Sequence, residues 1–254
     1  NMIKKVVIAA AGQGTRMKEL SKDKPKSLIC VKQRPFLAYL LDNLIEAGYR
    51  DFILVVGFHA ELMERFVKEY LDFCSQKGKA DVKIDLVNQF EILGPKEKEY
   101  GTLCPMKCVR DWVGNESFIS IYGDNLFSVR DLQAMGTEDE YNYIGASTTD
   151  HPEKYGVLIT DGNGNLKEII EKPKEFVGNL VNKGIYRFTP EVFEKIPEVK
   201  ISPRGEYELT DAVTLLAKEG KVKVQMLQDY WLDFGNPDDI AKVEKFLNEQ
   251  KICD

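Results

Sequence analysis

Short unbroken apolar runs alternate along the chain with longer stretches in which apolar residues recur every three or four positions. Residues 3 to 10 read as a first strand, and the apolar run from Val6 to Ala11 marks it as buried on both faces, as strands of a helix-covered parallel sheet are. Ser27 to Val31 follows Pro25 as a short extended piece. Pro35 then opens a helix in which Leu37, Leu40, Leu41, Leu44 and Ile45 share one face, and Gly48 stands where a left-handed cap is expected. Phe52 to Gly57 is the next buried strand, which completes a βαβ unit. The alternation continues with a helix from about Ala60 to Tyr70, a strand over Val82 to Asn88, a helix near Thr102 to Arg110 and a strand over Ser117 to Tyr122. This order predicts an α/β fold with a mostly parallel sheet flanked by helices, its ligands bound beyond the carboxyl ends of the strands.

The pattern changes after residue 140. Tyr143 to Thr148 and Gly156 to Thr160 read as strands. Asp161-Gly162-Asn163-Gly164 turns the chain into Leu166 to Ile170, which predicts a hairpin. Leu180 to Phe188 is a further strand, and Pro190 opens a short helix. A longer helix follows over about Tyr207 to Lys218, then a strand at Val222 to Leu227. Pro237 begins a terminal helix with Ile240, Val243 and Leu247 on one side. No repeat or interdomain linker interrupts this order, so the expectation is a single domain over 1–254. Its first half covers about 1–125, its second half about 140–236 and a C-terminal helix about 237–250.

Composition narrows the function classes. The 254 residues carry 43% hydrophobic and 30% charged side chains with a net charge of −6, which fits a globular protein and argues against a surface that coats nucleic acid. No apolar run reaches membrane-spanning length, and Lys4 to Ile8 is too short and too soon interrupted for a signal peptide. The five cysteines lack metal-ligand spacing and fit a reduced, cytoplasmic setting. Cys104 and Cys108 read as buried thiols on a helix, and Trp231 as core packing. His59 and His151 read as surface residues.

Against that acidic background Arg16, Lys18, Lys22, Lys24 and Lys26 form a local basic excess beside Gly12 and Gly14. A glycine turn at a strand end offers backbone N–H groups to an anion, and Arg16 adds a planar fork matched to phosphate oxygens. Two familiar phosphate loops fail here. A P-loop needs Gly-Lys-Ser/Thr where Gly14-Thr15-Arg16 stands, and a dinucleotide fingerprint needs a third glycine at Met17 and an acidic residue ending the second strand.

The motif Gly12-x-Gly14-Thr15-Arg16-Met17 with Lys24-Pro25-Lys26-Ser27-Leu28 resembles the sugar-1-phosphate nucleotidyltransferases, or nucleoside-diphosphate-sugar pyrophosphorylases, and in particular the glucose-1-phosphate thymidylyl- and uridylyltransferases. Further matching segments follow in family order: Gly123-Asp124-Asn125, Tyr155-Gly156-Val157, Glu171-Lys172-Pro173, Asn182 to Tyr186, Gly205 to Asp211 and Trp231 to Pro237. The resemblance implies a Rossmann-like, nucleotide-diphospho-sugar transferase fold with a β-rich sugar-binding elaboration. It implies condensation of a pyrimidine nucleoside triphosphate (dTTP, UTP or CTP) with a hexose 1-phosphate, with release of pyrophosphate. Arg16, Lys26 and Asp124 would be catalytic. Ala11, Gly12, Gly14, Thr15, Arg16, Gln89, Gly101 and Thr102 would bind the nucleotide, and Tyr155, Gly156, Glu171, Lys172 and Asn182 the sugar phosphate. Asp124 and Asp233 would hold Mg²⁺, with Asn236 or Asp239 able to serve near Asp233, because Asp and Asn near a helix start are common caps. The resemblance places Glu206 near the sugar, while Glu206 and Asp211 also suit a helix start. Partners would be the nucleoside triphosphate and the sugar 1-phosphate, without nucleic acid or membrane, and a homo-oligomer is compatible with this scheme.

The charged stretch 90–100, between Gln89 and Gly101, is long for the family. It reads as a lid or, more plainly, as a surface loop. Two other functions fit parts of the pattern: a cytidylyltransferase acting on a non-sugar phosphate such as phosphocholine, and a non-catalytic subunit that senses a nucleotide sugar. Retention of Arg16, Lys26, Asp124 and Asp233 together opposes the sensor. A glycosyltransferase would carry Asp-x-Asp where Asp124-Asn125-Leu126 stands.

Overall fold

The computed structural model describes residues 2–95 and 99–250. The first half runs β1 (Lys5–Ala9), the short strands β2 (Cys30–Val31) and β3 (Arg34–Pro35), α1 (Phe36–Glu46), β4 (Asp51–Val56), α2 (Ala60–Gln76), β5 (Lys83–Asn88), α3 (Gln89–Leu93), α4 (Cys104–Lys107), α5 (Arg110–Val113), β6 (Phe118–Tyr122), β7 (Asn125–Phe127) and α6 (Val129–Met135). The second half runs β8 (Asn142–Thr148), β9 (Gly156–Thr160), β10 (Leu166–Glu171), β11 (Leu180–Phe188), α7 (Val192–Lys195), α8 (Leu209–Lys218), β12 (Val222–Met226), β13 (Trp231–Asp233) and α9 (Pro237–Gln250).

One mixed sheet organises the chain. Strands β5, β4, β1 and β6 lie side by side and parallel. The long β11 runs antiparallel to β6 and takes β8 on its other edge, with β12 parallel to β8. The β9–β10 hairpin joins at the start of β11, where Val181 stands opposite Val157. Side chains of β1 and β4 alternate between two cores: Val6, Ile8, Phe52 and Leu54 belong to the one shared with α1 and α2, whereas Val7, Ile53 and Val55 belong to the one that includes residues of α4, α5 and α8. Each such side chain buried completely is worth about 1.5–3 kcal/mol, which explains why these strands read as continuous apolar runs.

Local chemistry sets the element ends. Gly48 closes α1 at φ 105°, with the Gly48 and Tyr49 N–H groups bonded back to Ile45 and Leu44, as a left-handed cap requires. Asn88 caps α3 by accepting from the Phe90 N–H, and Ser128 caps α6 by accepting from the Asp131 N–H. Asp161 accepts from the Asn163 and Asn165 N–H groups, which shapes the β9–β10 turn. In α9, Val243 is buried, with Ile240 and Leu247 packed against the same core.

Several expected elements differ. The helix expected over 102–110 is two short helices, because the Leu103 N–H bonds Tyr207 O rather than starting a helical ladder, and the Met106 and Cys108 N–H groups close turns three residues back. Ser27 to Val31 is not wholly extended: Lys26–Leu28 forms a 3-10 turn before β2. Helix α2 runs on to Gln76 because Cys74 continues the buried stripe of Met63, Val67 and Tyr70. Strands β7 and β13, which pair with each other, were not expected. Trp231, expected as core packing, is half-buried and packs against the first core. Among the described residues, no helix is long and apolar enough to cross a membrane.

Candidate active site

The carboxyl ends of β1, β5 and β6 open on one cavity of about 620 Å³, within the range of small-molecule sites. The loop after β1 brings Ala11, Gly12, Gly14 and Arg16, the 3-10 turn brings Lys26, the end of β5 brings Gln89, and the loop after β6 brings Asp124 and Asn125. Of the other residues that the sequence singled out, Gly101, Thr102, Lys172 and Asp233 also line the cavity. Thr15 is exposed at the start of the 3-10 turn over Thr15–Ser21 and does not line the cavity.

Gly14 has φ 64°, and a Cβ there would stand 2.7 Å from the Lys26 Cβ. A side chain at this position would displace the lysine, so the glycine serves packing as well as backbone freedom. The Lys26 ammonium forms an ion pair with Asp124. Asn125, almost fully buried, donates to Asp124 Oδ1 at 3.1 Å and accepts from the Trp231 indole N–H at 3.0 Å. Pairing of β7 with β13 sets Asp233 opposite Asn125, and the Phe234 N–H donates to Asp124 O at 2.8 Å. Burial first, and the neighbouring Asp124 charge second, push the Asp233 carboxyl above the usual range. Asp239, by contrast, accepts from the Gly235 and Asn236 N–H groups at the start of α9. It is a cap, and Asp233 is the carboxylate that faces the cavity.

Gln89 is nearly buried in the cavity wall and its Oε1 has no hydrogen-bond partner among the described residues. An orphaned acceptor of this kind costs about 1–3 kcal/mol unless a ligand supplies a donor. The stretch 90–100 is not a plain surface loop: Phe90, Glu99 and Tyr100 line the cavity, and residues 96–98 of the stretch lie outside the described residues.

The part of the site around Lys172 is built differently. Lys172 lines the cavity with φ 44°, a left-handed conformation unusual for lysine, fixed by its N–H bond to Tyr155 O. Glu171 stands opposite Gly156 across the hairpin, and a Cβ on Gly156 would lie 2.9 Å from Glu171 Oε2. Desolvation raises the Glu171 carboxyl above its ordinary range, with Lys172 and Arg204 opposing the shift. Tyr155, Gly156, Glu171 and Asn182 do not line the cavity but adjoin it. Asn182 donates to the Tyr186 hydroxyl and accepts from the Gly184 N–H, which fixes the bend in β11.

Glu206, which the resemblance placed near the sugar, lines the cavity, and two further contributors, Arg204 and Tyr122, gave little sequence signal. Arg204 lines the cavity too and reaches Glu206 at 3.3 Å, Glu171 at 3.7 Å and Glu208 at 3.8 Å. Tyr122, just before Gly123-Asp124, also lines it. A clasp joins the two ends of the site: the Tyr207 N–H donates to Tyr100 O at 2.8 Å, the Leu103 N–H to Tyr207 O at 3.0 Å, and the Leu209 N–H to Thr102 Oγ1 at 2.8 Å. Thr102 thereby caps α8 from another segment. The Lys107 ammonium lies 3.7 Å above the Tyr207 ring and bonds Glu99.

The family model described as nucleotidyl transferase matches residues 5–250. The UTP–glucose-1-phosphate uridylyltransferase AglF of Haloferax volcanii is 33% identical over 250 residues, covering 96% of each chain. A bifunctional sugar-1-phosphate nucleotidylyltransferase/acetyltransferase of Sulfurisphaera tokodaii is 33% identical over 249 residues, and the match takes up 98% of this chain but 56% of that protein. A solved structure of UDP-glucose pyrophosphorylase complexed with UDP-glucose superposes with a TM-score of 0.83 at 22% identity, over 98% of this chain and 100% of the other, which shows a shared fold. On the family match and the relatives it brings, the chain belongs to the sugar-1-phosphate nucleotidyltransferase family of enzymes.

Proposed function

We propose that this protein joins a pyrimidine nucleoside triphosphate to a hexose 1-phosphate, forming a nucleoside-diphosphate sugar and pyrophosphate. The observation that carries the reading is the convergence of Gly12, Gly14, Arg16, Lys26, Asp124 and Asp233 on one cavity, with Lys172 at its other end. UTP with glucose 1-phosphate is the first pair to try, since both appear in the name of AglF.

An oxygen of the sugar phosphate attacks the α-phosphorus, the bond to the β-phosphate oxygen breaks, and pyrophosphate leaves with that oxygen. Negative charge gathers on the phosphoryl oxygens at the transition state, so prearranged cations do most of the work. Arg16 grips the triphosphate, Lys26 neutralises charge at the α-phosphate, and the Gly12 to Gly14 loop donates backbone N–H groups. Lys172 holds the sugar phosphate and Glu171 accepts from sugar hydroxyls. Gln89 meets the donor face of the base, which relieves its orphaned oxygen. No side chain needs to become covalently attached to the nucleotide.

The chemistry of Asp124 and Asp233 fits magnesium. Burial and the neighbouring Asp124 charge raise the cost of ionising Asp233, and two neighbouring carboxylates beside a phosphate loop suit a hard divalent cation. Among the described residues no group of three or more His, Cys, Asp or Glu could hold a metal, so substrate phosphates and water would complete the shell, as is common for Mg²⁺. When bound, the ion would supply positive charge at the reacting phosphates.

The test is a panel of dTTP, UTP, CTP, ATP and GTP against several hexose 1-phosphates and choline phosphate, reading pyrophosphate release with and without Mg²⁺. Turnover confined to a pyrimidine nucleotide with a sugar 1-phosphate supports the proposal. Turnover with choline phosphate alone would replace it, and binding of a nucleotide sugar without turnover would favour the sensor.

A further inference from the structure

Lys183 on β11 is only 8% exposed, yet among the described residues no carboxylate lies within ion-pair distance of its ammonium. Its partners are two ring faces: Nζ lies 4.0 Å from the centroid of Trp231 and 4.5 Å from that of Tyr155. The rings stand edge to face, 6.3 Å apart at 73°, and the Trp231 indole is anchored by its bond to Asn125. The result is a preformed two-walled cation cage. It stands beside Asp233 and is walled by Tyr155, which directly precedes Gly156 in the hairpin that carries Glu171 and Lys172. Desolvation lowers the ammonium's affinity for its proton, opposed by the Asp233 charge, so the lysine sits here at an electrostatic cost. An aromatic cage of this kind is the usual device for recognising a quaternary ammonium.

We propose that Lys183 is a specificity-determining residue that occupies this cage with the chain's own cation and so excludes acceptors with a cationic headgroup. A choline-like group entering beside Asp233 meets an occupied cage and a like charge in a poorly solvated setting, and both oppose binding. A hydroxylated sugar carries no positive charge to be repelled. The inference rests on the proposed transfer to a phosphorylated acceptor and narrows its class to uncharged or anionic headgroups.

The experiment titrates tetramethylammonium and choline phosphate into wild type, Lys183→Ala and Lys183→Arg, following the Trp231 indole N–H by NMR. Wild type and Lys183→Arg are expected to show no saturable response. Lys183→Ala, with the cage emptied, is expected to bind tetramethylammonium at least about tenfold more tightly than wild type. Lys183→Thr, suited to a strand, replaces the alanine variant if that fails to fold, with circular dichroism and triphosphate binding as controls. Equal binding by wild type and the emptied variant, no gain in a folded emptied variant, or wild-type turnover of choline phosphate would each overturn the proposal. The ammonium titration reads the cage whether or not any sugar 1-phosphate turns over, so it fails separately from the functional reading.

Discussion

The two ends of the cavity solve their binding problems in different ways. At the end proposed for the nucleotide, parallel strands deliver loops whose conformation is set by glycine: Gly14 makes room for Lys26, and Gly101 at φ 135° lies so close to the clasp that a Cβ would stand 2.1 Å from Tyr207 O. At the end proposed for the acceptor, the end of β10 and the segment before α8 present charged side chains that hold one another, with Arg204 reaching Glu171, Glu206 and Glu208. Backbone geometry can cradle phosphates shared by all nucleotides, whereas a side-chain network can be re-drawn for each acceptor. The nucleotide end should therefore fail sharply when altered, and the acceptor end gradually.

The largest effect is expected at Asp124. Asp124→Ala removes one proposed metal ligand and leaves Lys26 unpaired, and should lower kcat/KM by about 10²–10³ or more, the scale of losing a key electrostatic contact in a transfer site. Steady-state pyrophosphate release with circular dichroism as a fold control checks this, and an active variant would break the metal assignment. Next is Gly101→Ala. The new methyl collides with the Tyr207 backbone and should destabilise the protein by about 1–3 kcal/mol, as overpacking does, while raising KM for both substrates because the clasp holds both loops. Denaturant unfolding and kinetics read the two effects, and a change in the nucleotide KM alone would show that the clasp does not reach the acceptor end.

Glu171→Gln should act more mildly, raising the acceptor KM by about tenfold, the loss of one hydrogen bond to a charged group, with the nucleotide KM little changed. Because burial raises the Glu171 pKa, its ionised form is lost at a higher pH than an ordinary carboxylate's. Acceptor binding should weaken as pH falls through that raised value, and the glutamine variant should lack this limb of the pH profile. The sign for stability is opposite. The stabilising contribution linked to this raised pKa is fully present below the unfolded-chain value and is lost as pH rises through the folded one.

The smallest effect concerns the thiols behind the nucleotide loop. Burial pushes Cys104 up to about 11 and Cys108 up to about 12, and both are buried whereas Cys30 is exposed. Mass spectrometry after brief alkylation of the native protein should find Cys30 modified and Cys104 and Cys108 spared. Rapid labelling of the latter pair would indicate that the loop opens readily.

Much of the nucleotide end was legible because its signals are local. An apolar strand, then glycines, then a basic run state their chemistry within residues 6 to 26, and Gly123-Asp124 follows an equally plain strand. The acceptor end was less legible because its contacts join residues distant in sequence. Arg204 touches Glu171 through the fold alone, and Lys183 in a strand otherwise looks like a solvated lysine. The broken helix at 104–113 has the same cause, since nothing near Leu103 in sequence announces that its N–H belongs to Tyr207. The packing of Trp231 against the core was legible from its size, while its hydrogen bond to Asn125 was not.

The most direct test follows oxygen through the reaction. A hexose 1-phosphate carrying ¹⁸O in all its non-bridging phosphate positions is incubated with UTP and Mg²⁺, and both products are analysed by mass spectrometry. If the sugar phosphate itself attacks the α-phosphorus, the nucleotide sugar retains all of that label and pyrophosphate carries none. Label in the pyrophosphate, or a nucleotide sugar that has lost labelled oxygen, would contradict the account.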